Sequence, residues 1–280
     1  MINMDGKIMI RVSVTIFLLG SFCFGQGCSE VNAVGATEVK ETQTAPVDKV
    51  DEILAKLNKR SGEIKTYQCK LEHLSRQPLF DSQTLRTGRM WYLRGDKQSL
   101  LRVDFDTIKQ DVEPEEKYVE KFFFDGVWLT RIDYQLKEVK RYQLVDPNKL
   151  KAGETIDAFD LLSEDLPIVG FTGTDKLKKE FNITLAEPNA NEPNDTIGLH
   201  MAVKPDSIYK DDWVWIDFWI DKKLYLPAKV VTLSTQDDIY EISFIDAKVN
   251  EPIDPDVFEV VVPEGFVESE TVPLKKENEK

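Results

Sequence analysis

Apolar side chains first recur at Val47, Val50, Ile53, Leu54 and Leu57, with Asp and Lys between them. That stripe predicts an amphipathic helix of about four turns, ending near Gly62. Beyond it the period shortens to two. Strands are predicted at residues 67–77, 85–93, 99–106, 117–124, 127–134 and 137–144, then at 181–186, 197–203, 213–220, 228–234 and 239–249. A second helix is predicted over 155–166, where Ile156, Phe159, Leu162 and Leu166 keep helical spacing and Pro167 stops the run. Asp125-Gly126 is a tight-hairpin pair, and many strands are separated only by short turns, so the sheet is expected to be antiparallel.

The alternation also sorts residues onto faces. Leu101, Val103 and Phe105 oppose Arg102 and Asp104; Tyr240, Ile242 and Phe244 oppose Glu241 and Ser243. In the tryptophan-rich strand Val214, Ile216, Phe218 and Ile220 share one face, and Trp213, Trp215, Asp217 and Trp219 the other. A long sheet with one apolar face must curl or be covered, and two helices cover only part of it. The remainder is either packed core or a hollow for apolar ligands; both call for the same residues, so periodicity leaves both open. The alternation predicts no convergent polar cluster on the inner face. The three tryptophans fit either burial under a loop or an exposed aromatic patch.

The chain ends read differently. Lys7 and Arg11 precede an apolar run over 12–24, followed by Gly25, Gln26, Gly27 and Cys28. This is the pattern of a secretory signal, and the run is shorter than the ~20 residues of a spanning helix. Cys28 stands where signal peptidase II would leave a thiol for lipid attachment. Gly27 fits such a site, whereas Gly25 replaces the usual Leu; ordinary cleavage nearby is the alternative. The expected organisation is a signal peptide at 1–27, a flexible linker at 28–46, one domain at 47–270 and a charged tail at 271–280, fraying over 275–280. Residues 189–195 read as a polar loop. Cys23 would leave with the signal, and Cys69 is expected to be a buried small hydrophobe.

The formal net charge is −14, which disfavours nucleic acid and repels an anionic membrane unless a covalent anchor intervenes. Charged residues at 31% and hydrophobic ones at 41% leave enough apolar material for a sizeable core. The two histidines, His73 and His200, fall on different strands with no His or Cys at zinc-ligand spacing. No Gly-x-Ser-x-Gly elbow, phosphate loop or dinucleotide motif occurs. Glu113-Pro114-Glu115-Glu116 reads as solvated charge and Asp237-Asp238 as a hairpin turn, neither with EF-hand spacing. The chain is therefore read as a binding protein, without cofactor or metal, rather than as an enzyme.

Three segments carry a family resemblance: Gly88-Arg89-Met90-Trp91-Tyr92-Leu93-Arg94; Phe124-Asp125-Gly126-Val127-Trp128; and Asn250-Glu251-Pro252-Ile253-Asp254-Pro255-Asp256-Val257-Phe258 with Pro263-Glu264-Gly265-Phe266. In this order, with a helix, six strands, a helix and five strands, residues 47–270 resemble the lipoprotein-carrier family, LolA and LolB. The resemblance implies a mainly β fold, an incomplete barrel of about eleven antiparallel strands, curved and covered by helices. It implies an apolar hollow for the acyl chains of lipoproteins or lipids, lined by Met90, Tyr92, Leu101, Val103, Phe105, Ile216, Phe218, Ile220 and Ile242. Arg94 matches the arginine that latches the family's lid and helps hand cargo on. Gly95 stands where the family often has proline, and residues 106–116 and 189–195 are insertions. A lipid on Cys28 would make the protein membrane-anchored, as LolB is. The alternatives are an envelope sensor or interaction module that binds a lipid or peptide, and a module with a filled core.

Overall fold

The computed structural model describes residues 47–96, 98–146, 158, 174–187 and 193–273. The expected signal peptide, Cys28 and linker lie outside the described residues. So do most of the second predicted helix, residues 189–192 of the polar loop, and the tail from 274.

The first helix, α1, spans Val47–Gly62, as its stripe predicts. Val50, Ile53, Leu54 and Leu57 are buried, while Lys59 and Arg60 occupy the last turn, where positive charge suits the helix dipole. Six strands follow: β1 (Thr66–Gln77), β2 (Ser82–Arg94), β3 (Ser99–Gln110), β4 (Glu116–Phe124), β5 (Trp128–Asp133) and β6 (Glu138–Gln143). A short helix, α2 (Thr174–Glu180), precedes β7 (Phe181–Leu185), β8 (Thr196–Val203), β9 (Trp213–Asp221), β10 (Pro227–Ser234) and β11 (Ile239–Val249). All eleven predicted strands form.

Two elements were not expected. The seven-residue α2 is too short and lysine-rich to leave an apolar period. β12 (Val267–Val272) pairs with β6 in parallel, which corrects the all-antiparallel expectation. Its side chains are almost wholly exposed, so it is held by edge pairing rather than burial and has no apolar alternation to read. It also carries the sheet two residues past the expected boundary at 270.

The strands form one sheet in the order β12-β6-β5-β4-β3-β2-β1-β11-β10-β9-β8-β7. It consists of two antiparallel meanders, β1 to β6 and β7 to β11, joined where β1 pairs with β11, from Tyr67↔Val249 to Arg76↔Ile239, with β12 added in parallel at the β6 edge. β7 and β12 are its free edges, so the sheet is open rather than a closed barrel. The β2–β3 and β4–β5 turns and the end of α1 lie at one end, called the near end. The β1–β2, β3–β4, β5–β6 and β10–β11 turns lie at the far end.

The inner face is built in rows. One row at the near end runs Tyr67–Tyr92–Leu101–Phe124–Leu129 across five strands. These residues join the α1 side chains and the apolar faces of β8 to β11 in one core cluster. Gly88 sits where the β2–β3 register shifts; a Cβ there would lie 1.9 Å from the Asp104 carbonyl oxygen. Only glycine allows that approach.

β9 departs from simple alternation. Trp215 pairs with Leu233 and Trp213 with Ser234, leaving Val214 as an exposed extra residue. Such a bulge reverses the facing of residues beyond it. Trp213 consequently meets Tyr240 edge-on at 5.8 Å, Trp215 lies 5.9 Å from His200, and Trp219 is buried against Gly198. The tryptophans are thus not one exposed patch, and Val214 does not line the inner face.

The C-terminal segment straps the outer face. Asn250 Oδ1 accepts from the backbone N–H groups of Lys65 (2.7 Å) and Thr66 (3.3 Å), and its Nδ2 donates to the Glu63 carbonyl (3.1 Å). Further on, Arg102 donates to the Val257 carbonyl at 2.6 Å. Phe266 packs on Tyr134 at 5.1 Å, over a small outer cluster of Phe123, Ile132 and Val139.

Candidate functional site

All nine residues assigned to the hollow lie in or against the same core cluster. Met90, Tyr92, Leu101, Ile216, Phe218, Ile220 and Ile242 are buried at 7% exposure or less, beneath α1 and one another. Val103 and Phe105 are only partly buried. So are Phe122 and Tyr142 on the neighbouring strands and Leu144 and Val145 just beyond β6. So, at the other flank, are Ile183 and Leu185 of β7 and Ile197 and Val203 of β8, so partial burial of the inner face is not confined to β3 to β6.

Arg94 ends β2 at the near end. Its Nη1 donates to the Gly62 carbonyl at 2.8 Å, its Nε to the Tyr92 hydroxyl at 3.1 Å, and its backbone N–H to the Lys65 carbonyl at 2.8 Å. One side chain therefore fastens the last turn of α1 to the buried wall. Of the second predicted helix, Ala158 is described: it is helical and fully buried, and its N–H donates to Ser99 Oγ at 2.5 Å. Cys69 is buried, and burial pushes its thiol up to about 12, which removes thiolate chemistry at neutral pH. Burial likewise raises the Tyr67 hydroxyl well above its ordinary value, with the neighbouring Cys69 thiol adding to the shift, and the buried hydroxyl of Thr232 has no hydrogen-bond partner among the described residues.

Toward the far end the same face becomes charged, contrary to expectation. Register places Glu120 beside Phe105 and Asp133, one row beyond Val103–Phe122–Arg131. The Glu120 side chain is 1% exposed. Arg86 Nη1 donates to its Oε2 at 3.0 Å and Arg131 Nε to its Oε1 at 2.5 Å. Arg131 Nη2 also reaches Asp133 Oδ2 at 3.5 Å, while Asp133 Oδ1 accepts from the N–H groups of Gln135 and Leu136. The Arg86 guanidinium lies 5.2 Å from the Tyr118 ring and 5.9 Å from Phe105; that of Arg131 lies 6.0 Å from Phe122. Burial opposes the charge on Arg131, but Glu120 outweighs it and the net shift is upward. His73 stacks on Tyr240 at 6.4 Å and lies 6.3 Å from Phe105; burial, then Arg86, lowers it to about 4.

Sequence reasoning missed this network because it read the polar residues as solvent-facing. The signal was present: Glu120 shares parity with Phe122 and Phe124, and Arg131 with Leu129. Among the described residues, no group of three or more His, Cys, Asp or Glu is placed to hold a metal ion. No helix among them is long and apolar enough to cross a membrane.

An open, mostly antiparallel sheet with α1 packed in its core cluster is the kind of architecture that the resemblance implied. No protein-family profile and no curated protein matches the chain. Among solved structures it is similar to a LolA superfamily protein from Nitrosomonas europaea, at 11% identity and TM-score 0.33, covering 75% of this chain and 97% of that one. It is also similar to the lipoprotein LppX of Mycobacterium tuberculosis, at 10% identity and TM-score 0.40, covering 73% and 98%. The Pseudomonas aeruginosa MucA/MucB complex is matched at 10% identity and TM-score 0.43, covering 76% and 61%. These likenesses concern the fold.

Proposed function

We propose that this is an exported envelope protein that binds acyl chains of lipoproteins or lipids on the inner face of its sheet and carries them toward the outer membrane, without catalysis. One observation supports the reading above the rest: Val103, Phe105, Phe122, Tyr142, Leu144 and Val145 lie on or beside the core wall yet are only partly buried. Each methylene laid against such a wall gains ~0.8 kcal/mol, so a chain binds without polar contacts. In this reading Arg94 is the latch that holds α1 over the site, Cys28 carries the lipid anchor, and release requires the helical cover to move. The nine assigned residues divide into a surface that touches ligand, led by Val103 and Phe105, and a buried scaffold behind it.

Native mass spectrometry and lipid extraction on protein purified from a bacterial periplasm test the proposal. Acyl lipid should co-purify and be lost in Phe105→Asp. Ligand-free protein that also excludes a fluorescent fatty-acid probe would mean a filled core and sink the carrier role. A second reading, an interaction module, is favoured by Leu79, Phe80, Val112 and Leu136, exposed on three turns at the far end. Serine at these four positions would then abolish membrane or partner association and leave lipid uptake unchanged.

A further inference from the structure

The charged network on the inner wall has no evident task in folding. Its row neighbours are Val103 and Phe122, and packed apolar residues are generally at least as stabilising as a buried ion-pair cluster. Its geometry is nonetheless specific. One buried carboxylate, Glu120, receives a guanidinium on each oxygen and so fixes the positions of both arginines. Neither arginine is used up. Nε and Nη2 of Arg86 and Nη1 of Arg131 make no hydrogen bond among the described residues, and the two side chains keep 12% and 24% of their surface open.

Arg86 and Arg131 meet Glu120 and Asp133 here, and Lys140 and Glu138 stand beside them on β6, so three positive and three negative formal charges cancel. An incoming anion therefore meets no net repulsion, while the free donors of two guanidiniums face it in a partly dry site. Planar guanidinium donors suit carboxylate and phosphate oxygens, and their hydrogen bonds strengthen out of water. The partly open wall of Val103, Phe105 and Phe122 adjoins this row.

We propose that Arg86 and Arg131, pinned by Glu120, bind the anionic head of a single-chain amphiphile, a carboxylate or phosphate monoester, whose chain lies on Val103, Phe105 and Phe122. This rests on the acyl-binding reading above and adds the class of ligand. No bond is made or broken.

Titration calorimetry on the purified full chain, with decanoate, decyl phosphate, decanol and inorganic phosphate, separates the two claims. The charged amphiphiles should bind roughly tenfold or more tightly than decanol, and inorganic phosphate alone should not compete. Arg131→Gln and Arg86→Gln should each remove most of that advantage, bringing the ratio of decanoate to decanol affinity close to one. Arg131→Lys keeps the charge but not the fork; it guards against misfolding and should retain only part of the advantage. Equal affinity for decanoate and decanol, or an advantage that survives the double glutamine variant, overturns the proposal. Tight binding of inorganic phosphate that displaces decyl phosphate would make this a free-anion site and also overturn it. If no amphiphile binds, the acyl reading itself falls.

Discussion

Glu120→Gln is the most direct test of whether the inner-wall network exists in solution. The change preserves size and one carbonyl acceptor but removes the charge between two guanidiniums. Breaking a buried ion pair by deleting one partner costs about 3–5 kcal/mol, chiefly because the other charge is left without compensation. Two charges are stranded here, which argues for the upper end. Against that, the arginines remain 12% and 24% exposed, and Asp133 stays within 3.5 Å of Arg131, so water and the second carboxylate recover part of the loss. The expected net cost is about 3 kcal/mol. Urea unfolding at neutral pH, followed by the fluorescence of the five tryptophans, should show a midpoint lower by roughly 1 M if the m-value is near 3 kcal/mol/M. A cycle with Arg131→Gln should give a coupling of about 1–3 kcal/mol. Replacing Arg86, Glu120, Arg131 and Asp133 together by Met, Leu, Met and Asn, the asparagine keeping the acceptor for the Gln135 and Leu136 N–H groups, should recover most of the stability. A cost below about 0.5 kcal/mol, with coupling near zero, would refute the reasoning.

Three further outcomes follow from single sites. His73 is lowered to about 4 by burial and by Arg86, so above its ordinary 6.5 both folded and unfolded states hold it neutral; as pH falls from 6.5 toward 4 the unfolded state takes the proton first and stability is lost, by at most about 3 kcal/mol. His73→Phe should flatten that window when urea midpoints are compared at pH 7.5, 6 and 5, and an unchanged pH profile would contradict the assignment. Arg94→Ala removes the bonds to Gly62 and Tyr92 and should cost about 1–3 kcal/mol, read as hydrogen exchange accelerated tenfold or more around residues 58–64 but not in β9 and β10. Gly198→Ala drives a Cβ to within 2.4 Å of the Trp219 ring and 2.7 Å of Ala186 Cβ, and should cost about 1–3 kcal/mol with a shifted tryptophan emission; an unchanged Tm would mean that β7 is free to yield.

How far the sequence could be read depended on how local the deciding interaction was. α1 and eleven strands were legible because each carries its own period: Val50, Ile53, Leu54 and Leu57 make a helical stripe without reference to any other element. β12 left no such trace, since its partner is the edge of β6 and its side chains stay in water. Val214 went astray because one extra residue in β9, visible only against β10, reverses the facing of Trp213.

The charged network is the more instructive case, because its facing was legible and its meaning was not. Parity alone puts Glu120 with Phe122 and Phe124. The expectation that failed was that the apolar alternation leaves no convergent polar cluster on the inner face. What keeps Glu120 out of water is Phe105 from β3 on one side and β5 on the other, and what pairs with its carboxylate is Arg131 from β5 and Arg86 from β2. Each strand taken singly shows an alternation that merely ends in a polar residue. Only the register of four strands turns those polar ends into one row of compensated charge beside an incompletely filled apolar wall. A wall of that kind suits a ligand with two chemically different ends better than one that is apolar throughout.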